Sequence, residues 1–154
     1  MTGAARLRAL DYLRGHHVMT LATHGSAGPW AAAVFYVNDG FTLYFLSAPA
    51  TRHARDMAAN PRVAATIQED YDDWTRIRGV QLEGEACQLA GEEAEQARRL
   101  YGEKYPIVAG PSPAAIATAL AKVRWYRVTP AQLYFVDNSA GFGHRDRIIP
   151  AAPD

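Results

Sequence analysis

One cysteine, Cys87, in 154 residues leaves no partner for an internal disulfide, so nothing points to an oxidising, secreted setting. Net charge is also missing: 16 Lys and Arg stand against 16 Asp and Glu. That balance argues against the broad basic field of a nucleic-acid binder and leaves room for a small local anion site. No apolar run approaches the ~20 residues of a membrane span. No charged start followed by an apolar stretch and a small-residue cleavage site occurs, so a cytoplasmic protein without a membrane partner is expected. The five histidines show no His-x-x-x-His or Cys/His spacing, so no metal site is expected, and His16 and His17 read as strand-entry residues. A Gly-x-Ser-x-Gly elbow is absent. Gly141-Phe142-Gly143 lies in the tail, outside the strand–helix context of a dinucleotide fingerprint.

What is present suits one domain over residues 1–154, long enough to bury a core without staples. Gly3 to Arg14 reads as a helix with Leu7, Leu10 and Leu13 near one face and Gly15 ending it. Strand formers run from His16 to Thr23, Trp30 to Asn38 and Phe41 to Ser47, separated by Gly25–Pro29 and by Asn38-Asp39-Gly40, a strong hairpin signal. The period becomes helical from Thr51 to Asn60, where Asn60-Pro61 is a stop. Further strands are expected at Arg62–Glu69, Arg76–Leu89 (bent at Gly84) and Lys122–Val136 (interrupted at Thr129-Pro130). Helices are expected at Glu92–Tyr105, with a Glu95–Arg99 pair and Ala97, Leu100 and Tyr101 inward, and at Ala114–Leu120. Pro106–Pro113 reads as a loop, and residues 138–154 as a polar tail. The pattern is mainly β, an antiparallel α+β barrel with peripheral helices.

The most informative stretch is Tyr44-Phe45-Leu46-Ser47-Ala48-Pro49-Ala50-Thr51-Arg52-His53, where a strand ends and a helix begins. A helix start exposes unpaired N–H groups and positive dipole, which favour anions. Ser47 and Thr51 add hydroxyls, Arg52 a fork suited to phosphate oxygens, and His53 a further donor when protonated. The plainer alternative is a capping Thr beside a solvated Arg and His.

Residues 47–64, Ser-Ala-Pro-Ala-Thr-Arg-His-Ala-Arg-Asp-Met-Ala-Ala-Asn-Pro-Arg-Val-Ala, resemble the flavin-phosphate segment of the pyridoxamine 5′-phosphate oxidase-like FMN-binding split barrels. There, a strand ends in Thr or Ser, a Ser/Thr-Arg-Lys-type triplet opens a helix, and Asn-Pro closes it before the next strand. The likeness extends from His16 to the tail Gly-Phe-Gly-His-Arg-Asp-Arg at 141–147. It implies a six-stranded split β-barrel, FMN as cofactor, flavin-dependent oxidoreductase activity and a homodimer with flavin sites at its interface. Arg52 and His53 would then contact the FMN phosphate, with Ser47 and Thr51 as hydroxyl donors and Leu46 beside them. Ala32, Ala33, Val34 and Phe35 would run along the isoalloxazine ring, their backbone facing its polar edge, with small side chains allowing close approach. Arg78 and Gln81 would reach the ring or ribityl chain, Trp74 could wall the site, and Phe142 or His144 would approach the partner's flavin.

Two departures from that family matter. Its vitamin-converting members carry an Arg and a Lys on the ring-side strand, where this chain has Ala32 and Val37. Their Arg-Leu-His-type tail is replaced by Gly143-His144-Arg145-Asp146-Arg147. Much of the charge that would hold a phosphorylated pyridoxal is therefore missing, and the likeness is closer to the short members of the superfamily. Two other readings share the barrel: a flavin- or haem-binding sensor without turnover, and a reductase using the deazaflavin F420, whose anionic tail would favour a more basic groove.

Overall fold

The computed structural model describes residues 2–150, so the end of the expected tail, 151–154, lies outside the described residues. The order is α1 (Thr2–Gly15), β1 (Val18–Gly25), β2 (Gly28–Asp39), β3 (Thr42–Ser47), α2 (Arg52–Ala59), β4 (Arg62–Gln68), β5 (Arg78–Gln88), α3 (Gly91–Lys104), α4 (Pro106–Ala109), α5 (Ala114–Leu120), β6 (Arg124–Asp137) and β7 (Arg145–Ile148). The strands form one antiparallel sheet, β3-β2-β1-β4-β5-β6-β7, and an added β3–β6 pairing closes its first six strands into a barrel. The expected six-stranded barrel is present, with β7 as an extra strand on β6.

Alternation along the strands builds the interior. Met19 and Leu21 of β1, Val34 and Tyr36 of β2, Leu43 and Phe45 of β3 and Val80 and Leu82 of β5 point inward. Fully burying one such side chain is worth about 1.5–3 kcal/mol. α1 plugs one mouth with Ala5, Ala9, Leu10 and Leu13. Leu7 instead is 63% exposed, because six residues of helix turn it about 120° from Leu13. α3 packs on the outside, where Ala97 and Tyr101 meet Val37, Tyr44 and Leu89, with Leu100 against them. Lys104 Nζ donates to the carbonyls of Leu13 (3.4 Å) and His16, placing a cation at the C-terminal end of α1. Burial draws the Lys104 pKa down to about 8.

Four local expectations change. β6 is continuous through Thr129-Pro130: Gln132 pairs with Glu83 and Pro130 with Gly84, so Ala131 is an extra residue in a bulge. The bulge takes up Pro130, which has no N–H to offer, and Gly84 gives the bend expected there. Pro106–Ala109 is a short helix rather than loop, with Pro at its start where a missing N–H costs nothing. The tail supplies β7, held by β6. Glu95 meets Arg98 (4.0 Å) rather than Arg99.

Candidate functional site

β2 and β3 separate part-way along their length. β3 pairs with β2 only from Thr42↔Asp39 to Phe45↔Tyr36, while on its other edge Leu43 to Ser47 pair with β6. The earlier half of β2, Trp30 to Phe35, has β1 on one side and no strand on the other. Its backbone groups on that edge are available to a ligand, except Phe35 O, which accepts from the Tyr101 hydroxyl (3.4 Å). Side chains alternate there: Ala33 and Phe35 are exposed, Val34 is buried in the core and Ala32 is intermediate. The ring-side expectation therefore falls on an open edge carrying small residues, with Phe35 56% exposed at its end.

Where β3 leaves β2, Leu46 and Ser47 lead into α2. Thr51 is the N-cap, its Oγ1 accepting from Ala54 N (3.3 Å) and donating to Ala48 O (2.9 Å). The capping role expected as the plain alternative is real. Ser47 Oγ lies 2.6 Å from His53 Nε2 and 3.2 Å from Thr51 Oγ1. Thr51 has already given its only hydroxyl proton to Ala48, so Ser47 donates either to Thr51 or to an unprotonated His53. Burial holds the His53 pKa below its ordinary value against the opposite pull of Asp56.

Arg52 takes a different direction. Its guanidinium lies 4.3 Å over the Trp30 ring, and Nη2 donates to Ala27 O (3.3 Å). Its Nε is buried without a hydrogen bond, with the Asp56 carboxylate at 4.0 Å. Asp56 is itself buried and accepts from Thr23 Oγ1 (2.8 Å). Trp30, Thr23 and Asp56 were missed by the sequence reading. The i,i+4 spacing of Arg52 and Asp56 was the available signal.

Ser47, Thr51 and His53 thus come together, with Arg52 on the next helix position. The other expected residues lie elsewhere. Gln81 is exposed on the barrel's outer face in the cross-strand row Ala33–Thr20–Thr66–Gln81, three strand spacings or about 14 Å from Ala33. Arg78, three residues before Gln81, has the opposite strand parity and bonds Asp137 (3.3 Å) at the far mouth. Phe142 stacks on Trp74 (6.2 Å between centroids, planes at 18°), and both are well exposed. His144 Nε2 lies 3.0 Å from Asp146 Oδ2. His16 and His17 do precede β1, as expected.

The groups near the α2 start suit a phosphate ester with a planar ring: the Ser47 hydroxyl, the His53 imidazole, the terminal N–H groups of Arg52 and an open strand edge, with Thr51 committed to capping α2. Among the described residues no cluster of His, Cys, Asp and Glu could hold a metal ion. No helix among the described residues is long and apolar enough to cross a membrane.

A family model described as Pyridoxamine 5'-phosphate oxidase matches residues 7–137. A UPF0306 protein of Enterobacter sp. (strain 638) is 35% identical over 136 residues, 87% of this chain and 89% of its own. In structure, the chain resembles the heme storage protein HutZ from Vibrio cholerae, with TM-score 0.70 and 20% identity over 84% of this chain and 92% of that one. A heme binding protein from Mycobacterium smegmatis gives TM-score 0.71 and 23% identity over 92% of this chain and 58% of that one. At these identities the structural likeness speaks for the fold.

Proposed function

Because this chain belongs to the pyridoxamine 5′-phosphate oxidase family, we propose that it binds FMN and works as a flavin-dependent oxidoreductase on a substrate other than a phosphorylated pyridoxal. The observation that carries this reading is the open edge of β2 beside the Ser47–Thr51–His53 cluster. Bound FMN supplies the hydride or electron transfer. The chain's own part is to bind and orient: Ser47 and His53 toward the phosphate, Arg52 swinging from Trp30 to join them, Thr51 holding the start of α2 as its cap, the Ala32–Phe35 backbone along the ring. Ala32 brings no charge to the ring-side strand, and Val37 is buried under α3, which supports the exclusion of a phosphorylated substrate.

The reading includes a homodimer. Val18, Trp30 and Phe35 are large, exposed and apolar around the small residues of β1 and β2, a surface suited to a second copy. Phe142 and His144 lie away from the α2 cluster of their own subunit, and under this reading they approach the partner's flavin; Arg78 and Gln81, expected at the ring or ribityl chain, also lie away from that cluster, so in a dimer they would reach a flavin only across the interface.

Arg52→Ala tests the phosphate assignment. Loss of a charge-assisted contact should weaken FMN binding by about 1.5–3 kcal/mol, with riboflavin binding little changed. Titration by flavin fluorescence quenching measures both. An unchanged FMN affinity would put the phosphate elsewhere.

A second reading replaces flavin with haem. It is supported by the fold's likeness to the two haem proteins and by His17 and His24, exposed imidazoles without a hydrogen-bond partner among the described residues. A Soret band after haemin addition, lost in His17→Ala or His24→Ala, would favour it.

A further inference from the structure

A cavity of about 260 Å3 opens at the other mouth of the barrel, between the end of α1, the β4–β5 connection and the turn after β6. It is separate from the α2 cluster. Arg78 at its edge pairs with Asp137, whereas Glu85 of the same strand pairs with Arg62, just after α2. Seven strand residues at roughly 3.3 Å each put about 23 Å between these levels.

Most polar groups in the cavity wall are already committed. Tyr12 gives its hydroxyl proton to Arg78 O (3.0 Å) and accepts from Glu69 N (3.2 Å). The Tyr71 hydroxyl, 3.0 Å away, must therefore be the donor to Tyr12. Burial and the neighbouring Tyr71 phenol hold the Tyr12 pKa well above the usual phenol range, so this network is neutral. His16 faces two oxygen acceptors, Tyr12 O at 2.7 Å through Nδ1 and Glu69 Oε1 at 2.8 Å through Nε2, and so occupies the one carboxylate of the wall.

Two guanidiniums remain. Arg78 spends Nε on Asp137 (3.3 Å) and Nη2 on Ser139 Oγ (3.4 Å), leaving Nη1. The Arg76 guanidinium makes no hydrogen bond or close ion pair among the described residues. Asp73 is near enough to feel its charge but bonds Thr75 instead. The Arg78 charge is thus paired with Asp137 and the carboxylate of the wall, Glu69, contacts His16, which leaves Arg76 as the cation without a close partner among the described residues and unspent N–H donors on both arginines. Its volume is small for a flavin and suited to a compact acid.

We propose that this cavity binds a small oxyanion, a carboxylate or a phosphate, between Arg76 and Arg78. The cavity lies at a different mouth of the barrel from the α2 cluster and shares only Arg78 with the interface reading above, so the test is placed on Arg76, which that reading does not use. The experiment is a two-dimensional amide NMR titration of the full chain with inorganic phosphate and, separately, with acetate. Saturable shifts at Tyr71, Arg76 and Ser139, with a dissociation constant of about 1 mM, are expected for at least one of them. The stronger ligand tells phosphate from carboxylate. Arg76→Ala, at an exposed position, should weaken that binding roughly tenfold or more, while Arg98→Ala on α3 should leave it unchanged. Absence of saturable shifts, shifts confined to Ser47–His53, or equal binding by Arg76→Ala would overturn the proposal.

Discussion

Asp137 shows how one residue ties local charge to stability. Burial alone would raise its pKa, but two hydrogen bonds from Ser139 and the Arg78 guanidinium outweigh it and hold the carboxyl below its ordinary value. A carboxyl depressed in the folded state adds stability above its unfolded pKa and loses it as pH falls through the folded one. Asp137→Asn should therefore cost about 1–3 kcal/mol at pH 7. Its melting temperature should also fall less than the parent's on acidification below about pH 4. Melting curves across pH read this, and identical acid profiles would contradict it. Residue roles were legible in the sequence where they are local. The Thr51 cap and its company with Ser47 and His53 follow from strand-end and helix-start chemistry. The direction of Arg52 does not, because it is set by Trp30 on another strand. Arg78 and Gln81 looked like neighbours in one site, but a spacing of three on a strand sends them to opposite faces.

Among the elements, the β5–β6 pair carries the barrel's sharpest irregularity. Gly84 faces the bulge so closely that a Cβ there would come 2.1 Å from Thr129 O and 2.8 Å from Pro130 Cα. Both contacts are with backbone or ring atoms that cannot swing aside. Gly84→Ala should destabilise by about 1–3 kcal/mol or more, read as a lower urea midpoint. A midpoint equal to the parent's would mean the bulge relaxes freely. This bend was legible, since an isolated Gly inside a strand marks close backbone approach. The two hairpins and α2 were legible for the same reason: Gly25–Pro29, Asp39-Gly40, Thr51 and Asn60-Pro61 are local stops and starts. β7 was not, because Arg145–Ile148 offers one buried apolar residue, Ile148, and becomes a strand only through pairing with distant β6. α4 was hidden within a Pro/Gly-rich stretch that reads as loop.

At the level of the whole molecule, the order of elements and the triplet before Asn-Pro carried the family, and the barrel follows from it. Closure by β3 was not visible in the pattern, because its pairing with β2 on one edge and β6 on the other depends on sheet coiling rather than on any residue in β3. Pairing of β3 with β2 ends at Phe45, which leaves the Trp30–Phe35 edge of β2 open, and β3 then runs on into α2, the two features on which the proposed flavin site rests. The most direct test is the visible spectrum of the purified chain after incubation with FMN and desalting. The account predicts flavin bands that survive desalting in the parent protein and diminish in Arg52→Ala. A folded protein that emerges without flavin bands, or that retains haem with a Soret band and not FMN, would contradict it.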